Sequence, residues 1–359
     1  MTEGSSSPPP VAPTPRVLVV KMSSMGDIIH TFPAISDLKC QLPEARVDWV
    51  VESGFADLAQ AHPGVHHVIP ISLRRWVKQR DVAAVREIIA WRRQLSSMVY
   101  DVVIDPQGLL KSSWVGSLPL AKEVHGFDKT SCREPLATWS YTHTHRISKD
   151  LHAVQRSRAL FAAALGYDIP QAMSFGLRNP ELSRSRNLAA LIIGASWESK
   201  VWPDSHWTHT AKLALSAGYE VEVIWGDPSE RQRALKIQTS LPSVKVSPAR
   251  LSVIEVSKIL ARATVAIGLD TGFSHLSSAL ETPTVAIYGP TAPNRSGLAG
   301  QNDTTLSANT TINCPPCHKR TCQLTRSTPS APAKCMASVT PDLVWKTALH
   351  QIGQKPSQQ

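Results

Sequence analysis

Apolar residues in this chain come in short uninterrupted runs, separated by stretches whose apolar positions recur at helical spacing. Arg16–Val20, Val47–Val51, His66–Ile71 and Tyr100–Asp105 read as strands. Asp27–Leu42, started or interrupted at Pro33, then Val82–Leu95 and Ala153–Leu165 read as helices, the last closing at Gly166. Around residues 170–187 the pattern fades into Pro, Asn, Ser and Arg, which marks a linker. It restarts with strands at Leu188–Ile193, Glu220–Trp225, Val265–Leu269 and Thr284–Tyr288. Helices are expected from about Ser205, at Val256–Ala263 behind a capping box of Ser252 and Glu255, and at Ser274–Leu280. Runs of this kind fit strands buried on both faces, as parallel sheets require. Strand–helix alternation in both halves predicts an α/β chain of two doubly wound domains facing each other.

At 359 residues the chain exceeds what one core usually fills. The halves are therefore assigned as domains, 16–175 and 176–340, with a Ser/Pro-rich disordered tail at 1–15 and a helix and tail at 341–359. Hydrophobic residues make up 42% and charged residues 18%, the balance of a globular protein. No apolar run approaches the ~20 residues that span a bilayer. Residues 1–15 have no apolar stretch, so neither a signal peptide nor an anchor is expected there and the chain is assigned to the cytosol. The net charge of +10 selects an anionic partner: nucleic acid, an acidic membrane surface or a phosphorylated substrate.

Two distant segments, Arg16–Asp27 and Val265–His275, share one plan: an apolar run, a small-residue turn holding Gly and Asp, then a helix. Such a turn aims free backbone N–H groups at one spot, where the helix dipole favours an anion. Asp270, Thr271 and Gly272, with Ser274 and His275 opening the helix, fit a pyrophosphate cradle or a plain capped start equally. Lys200, on a loop just past a strand, fits a phosphate contact or a solvated surface. Asp27 leads the first helix, where the dipole favours a carboxylate; it reads as a cap or as a general base in the cleft.

Longer matches single out a family. Lys21-Met-Ser-Ser-Met-Gly-Asp27, Asp48-Trp-Val-Val-Glu52, Val68-Ile-Pro-Ile71, Arg74-Arg-Trp76, Asp105-Pro-Gln-Gly-Leu-Leu-Lys111, Arg133-Glu-Pro-Leu-Ala137, Lys200-Val-Trp-Pro203, Asp270-Thr-Gly-Phe-Ser-His275 and Tyr288-Gly-Pro-Thr291 follow one another across residues 16 to about 295. In these stretches the chain resembles glycosyltransferase family 9, the heptosyltransferases. The Arg-Arg-Trp and Arg-Glu-Pro-Leu-Ala stretches look closer to members that add the first heptose than to those adding the second or third.

The resemblance implies a GT-B fold, two Rossmann-like domains with the active site between them. It implies inverting, metal-independent transfer of L-glycero-D-manno-heptose from ADP-heptose to the Kdo of Kdo-lipid A, on the cytoplasmic face of the inner membrane. ADP-heptose is then a substrate, and no cofactor is implied. The sequence has no Asp-x-Asp metal motif. By the same resemblance Asp27 is the catalytic base, Lys200 contacts the pyrophosphate, and Asp270, Thr271, Gly272 and His275 hold the donor phosphates and heptose. Glu230 falls where the ribose is held and Leu251 where an apolar side chain packs on adenine. Family members often carry paired Thr ahead of the lysine; Ala195 and Ser196 stand there, so Ser196 keeps one hydroxyl contact.

The anionic partner thereby becomes Kdo-lipid A and an anionic inner-membrane surface, not nucleic acid. Arg74, Arg75, Lys78 and Arg80, surrounding Trp76, are assigned to acceptor binding and membrane docking. Lys111 and Arg133 are assigned to Kdo carboxylates, which Arg meets bidentately.

Cys314, Cys317, Cys322 and Cys335 form a cluster that, in a cytosolic chain, suggests a structural metal before disulfides, with His318 as a substitute ligand. Structural zinc, free thiols and redox pairing all stay open. Cys40 and Cys132 read as small apolar groups. His143, His145 and His152 have no acidic partner at useful spacing, which argues against a metal and for acceptor or surface roles. Other function classes have their own requirements. A non-catalytic ADP-binding module needs no cleft base, so Asp27 discriminates it. A dinucleotide oxidoreductase needs the G-x-G-x-x-G spacing that Lys21–Gly26 lacks. Among enzymes, the alternative is a second or third heptosyltransferase.

Overall fold

The computed structural model describes residues 14–79, 81–177, 187–308, 314, 316–325 and 332–353. Arg80, most of the expected N-terminal tail, residues 178–186 of the expected linker, and the final residues lie outside them.

Among the described residues each half carries one six-stranded sheet. The first is built from β1 (Arg16–Val20), β2 (Arg46–Glu52), β3 (Val65–Ile71), β4 (Val99–Asp105), β5 (Leu120–Phe127) and β6 (His143–His145), in the order β3-β2-β1-β4-β5-β6. The second is built from β7 (Leu188–Ile192), β8 (Glu220–Ile224), β9 (Lys245–Val246), β10 (Val265–Leu269), β11 (Thr284–Tyr288) and β12 (Asp303–Ser307), in the order β12-β11-β10-β7-β8-β9. All pairings are parallel. Helices cover both faces, so Val17–Val20 and Val265–Leu269 are buried throughout.

The long first helix expected from the sequence is two, Met25–Ile29 and Phe32–Gln41, with Pro33 inside the first turn of the second, where its missing N–H costs nothing. Asp37 on that second helix meets Arg158 on the helix Ala153–Leu165 through two contacts, 2.6 and 3.1 Å, with both side chains buried. The helix Pro341–Gly353 packs on the second sheet through Val344, Trp345 and Ala348, so it completes that half's core.

The halves touch through the helices Met25–Ile29 and Gly272–Ala279. Only glycine fits on either side. A Cβ on Gly26 would lie 2.9 Å from the His275 ring, and one on Gly272 would lie 2.7 Å from Met25. Apolar packing continues across this junction from the first core into Leu188, Ile192, Val256 and Leu260.

Candidate active site

In a doubly wound sheet, ligands bind where the strand order reverses, outside the carboxyl ends of the strands. In the first half that point lies between β1 and β4. The turn after β1 carries Lys21, Ser24 and Asp27, and the turn after β4 carries Pro106 and Gln107. The Met22 N–H donates to Gln107 Oε1 at 2.7 Å and Lys21 Nζ donates to Pro106 O at 3.1 Å, which lock the two turns together. In the second half the order reverses between β7 and β10. Their turns carry Gly194–Lys200 and Asp270–Gly272. Both sequence-predicted motifs thus stand at the switch points.

A cavity of ≈ 460 Å³ opens at the first point. Asp27, Lys111 and Arg133 line it, together with Lys21, His30, Gln107 and Arg156. Asp27 Oδ2 accepts both the Ser24 N–H (2.9 Å) and the Ser24 hydroxyl (2.7 Å), while Oδ1 lies 3.8 Å from Lys21 Nζ. One oxygen therefore caps the helix and the other is left to the cavity. Cap and base are compatible roles for one carboxylate. Burial pushes the Asp27 carboxyl up, but Lys21, the Ser24 hydrogen bonds and His30 outweigh it and hold the group below the usual carboxylate range. His30 is fully buried between two other rings, 4.5 Å from His275 and 5.3 Å from His152. Burial and those two imidazoles drive it far below the ordinary imidazole value, with Asp27 opposing them.

A second cavity of ≈ 470 Å³ lies between the halves. Ser196, Lys200, Glu230, Asp270, Thr271, Gly272 and His275 line it, as do Ser24, Met25 and Gly26 from the opposite side. Ser24, which holds Asp27 through its N–H and hydroxyl, borders both cavities. Lys200 Nζ donates to Asp270 Oδ2 at 2.6 Å, and Thr291 Oγ1 donates to the same oxygen at 2.7 Å. His275 Nε2 lies 3.6 Å from Asp270 Oδ1. Burial alone would raise Asp270, but the nearby His275 imidazole, Lys200 and Thr291 hold it far below the usual carboxylate range. The result is a fixed lysine beside the N-terminus of the helix Gly272–Ala279, where the Thr271 hydroxyl caps the Phe273 N–H at 3.3 Å, an arrangement suited to a polyanion. Glu230 Oε2 accepts from Gly226 N–H at 2.6 Å, and its carboxylate fills the space beside Gly194, where a Cβ would lie 2.6 Å from it.

Several expected placements change. Trp76 is buried against Trp91 at 6.1 Å, with its indole N–H donating to Glu87 at 2.8 Å, so it is not an exposed anchor ringed by cations. Arg75 pairs with that same Glu87, and neither it nor Lys78 lines either of these two cavities. Arg74 faces the second cavity, among Lys200 and Asp270, and not the first with Lys111 and Arg133. Arg80 lies outside the described residues. Leu251 packs on the apolar core, and its neighbour Arg250 lines the second cavity instead.

Lys21, His30, Arg156 and Arg250 were not singled out from the sequence. Lys21 ends β1 and His30 follows Asp27 by three residues, so position relative to Asp27 was the available signal. Arg156 and Arg250 carried none.

Cys314, Cys317, Cys322 and Cys335 do line one small cavity, ≈ 100 Å³, with Lys319 and Lys334. Among the described residues, however, the three ligand groups that approach within 4.8 Å of one another are Glu123, His125 and His143, not these thiols. That set corrects the expectation for the histidines. In-register pairing of β5 and β6 sets His125 opposite His143, and Glu123 supplies the acid that sequence spacing concealed, 2.9 Å from His125 Nε2. His152 is elsewhere: its Nδ1 accepts the Val154 N–H (3.2 Å) and its Nε2–H donates to Gly297 O (3.1 Å) across the junction of the halves.

Residues 88–327 match the family model for glycosyltransferase family 9 (heptosyltransferase). The chain is 39% identical over 318 residues to lipopolysaccharide heptosyltransferase 1 of Pseudomonas aeruginosa, covering 86% of this chain and 87% of that one. Its fold is similar to that of the E. coli heptosyltransferase WaaC solved with ADP, at a TM-score of 0.82 and 34% identity, covering 94% of this chain and 99% of that one. The same enzyme solved with ADP-2-deoxy-2-fluoro heptose superposes at 0.80, again with 34% identity, over 93% of this chain and 99% of that one.

Proposed function

The chain belongs to glycosyltransferase family 9, the heptosyltransferases, and from that membership we propose that it moves L-glycero-D-manno-heptose from ADP-heptose to the Kdo of Kdo-lipid A, with inversion and without a catalytic metal. ADP-heptose lies in the second cavity and the Kdo hydroxyl enters the first. The observation that carries this reading is that Ser24, hydrogen-bonded to Asp27 in the first cavity, also borders the second.

Asp27 takes the proton of the acceptor hydroxyl as its oxygen attacks the anomeric carbon, and the bond to the ADP oxygen breaks on the opposite face. One displacement of this kind inverts the anomeric centre. Negative charge grows on the departing diphosphate, where Lys200, the N–H groups of the Gly272 helix and the Thr271 hydroxyl receive it. Asp270 fixes Lys200 and His275 in place. Lys200 supplies at a fixed position the positive charge that other glycosyltransferases take from a divalent ion. Lys111 and Arg133 face the Kdo carboxylates. Adenosine binds toward Glu230 and Arg250.

The test is transfer from ADP-heptose to Kdo-lipid A in the presence of EDTA, with released ADP counted and the anomeric configuration of the product read by NMR. One ADP per heptose, an inverted linkage and insensitivity to EDTA are expected. Transfer only to an already heptosylated acceptor would assign the chain to the second or third heptosyltransferases.

A further inference from the structure

Large apolar side chains stand exposed on two short helices at the mouth of the first cavity. The helix Leu110–Gly116 presents Leu110 and Trp114, one turn apart, and the 3₁₀ helix Pro135–Ser140 presents Leu136 and Trp139, three residues apart. Trp139 is 78% exposed. The two helices are neighbours, since the Leu110 N–H donates to Glu134 Oε2 at 2.7 Å and the Glu134 N–H donates to Gly108 O at 3.1 Å. Lys111 and Arg133, from the same two segments, line the cavity behind them. Single exposed apolar residues are ordinary, but four large ones grouped at a cavity mouth mark an interaction surface. Indoles favour the boundary between headgroups and acyl chains, and Lys and Arg beside them favour anionic lipid.

We propose that this patch seats the enzyme on an anionic bilayer, with Leu110, Trp114, Leu136 and Trp139 entering the interface and Lys111 and Arg133 meeting anionic groups at the cavity mouth. This docking, which rests on the reading of the first cavity as the acceptor site, presents a membrane-held sugar to Asp27 while its acyl chains stay in the lipid. The basic stretch around Trp76 is a poorer platform, because its indole is buried and Arg75 is paired to Glu87.

Sedimentation of the full-length chain with phosphatidylcholine–phosphatidylglycerol vesicles tests it, using a Trp114→Ser, Trp139→Ser double variant. As a control, Val85→Ser with Ile89→Ser alters another pair of exposed apolar side chains, on the helix Val82–Ser96. The tryptophan variant should partition about tenfold more weakly or worse, and the control as wild type. Transfer to an acyl-free Kdo acceptor should be unchanged in both, and transfer to Kdo-lipid A in vesicles should fall only in the tryptophan variant. Equal vesicle binding by the tryptophan variant and wild type, or loss in the control instead, overturns the docking surface. So does a wild-type dimer by analytical ultracentrifugation that the tryptophan variant dissolves, since the patch would then belong to a second copy. Wild type that transfers to neither acceptor, yet still binds vesicles through the two tryptophans, overturns the acceptor reading and leaves the surface intact.

Discussion

Replacing Asp27 by Asn separates the two roles that its two oxygens suggest. The Asn carbonyl can keep the place of Oδ2, which accepts the Ser24 N–H at 2.9 Å and its hydroxyl at 2.7 Å. Asp27 is the third residue of its helix, where the dipole favours a negative charge, so neutralising it is expected to cost only about 0.3–1 kcal/mol of stability. The catalytic change is far larger. Removing a general base costs about 10²–10⁴ in rate, or about 2.7–5.4 kcal/mol of barrier. The assay is ADP release at saturating donor and acceptor, with melting followed by calorimetry on the same preparation. A large rate loss with a barely lowered melting temperature is expected. Turnover within a few-fold of wild type would refute the base and leave a capping residue. The pH profile supplies a second reading. Because the Asp27 carboxyl is held below the usual carboxylate range, it is ionised wherever an ordinary carboxylate is, above about pH 4. The rate should therefore show no acid limb from this group between about pH 5 and 8; a limb near pH 6 that disappears in Asp27→Asn would contradict the environment described.

Lys200→Ala should weaken ADP binding by about 1.5–3 kcal/mol, roughly 10–150-fold, as isothermal titration would read; unchanged affinity removes Lys200 from the donor site. Arg158→Met leaves the Asp37 carboxylate buried and alone, so chemical denaturation should show a loss of about 3–5 kcal/mol, and a loss below about 1 would mean the pair is not formed. Asp303, pushed up to about 6 by burial, binds its proton more tightly folded than unfolded. Its contribution is therefore present at low pH and lost as pH rises from about 4 to about 6, after which it is flat. Asp303→Asn should melt higher than wild type at pH 8 and alike at pH 4, and the same difference at both pH values would exclude this carboxyl as the source.

Most strands inside the sheets were legible because burial on both faces demands unbroken apolar runs; Leu120–Phe127, interior but only partly covered over its first half, was not read. Val265–Leu269 and Thr284–Tyr288 have the predicted limits. Edge strands make no such demand. His143–His145 and Asp303–Ser307 lie at the ends of their sheets, and they have almost no apolar signature. The helix Leu73–Gln79 was concealed for a related reason. Its buried residue, Trp76, is enclosed by a later helix through Trp91 and Glu87, a contact that local spacing does not encode. The same limit governs the site. Gly-Asp turns after strands announced Asp27 and Asp270, whereas the side on which Arg74 falls depends on how two separate halves approach each other.

Gly26 against His275 and Gly272 against Met25 bring the halves together at the very turns that hold Asp27 and Thr271. The surface where the halves meet is therefore also where the spacing between Asp27 and Thr271 is set. Lys111 and Arg133 in the first cavity, and Arg74 and Arg250 in the second, can change without altering that contact. A single methyl group added at either glycine would instead press on the facing half and alter that spacing for every substrate at once.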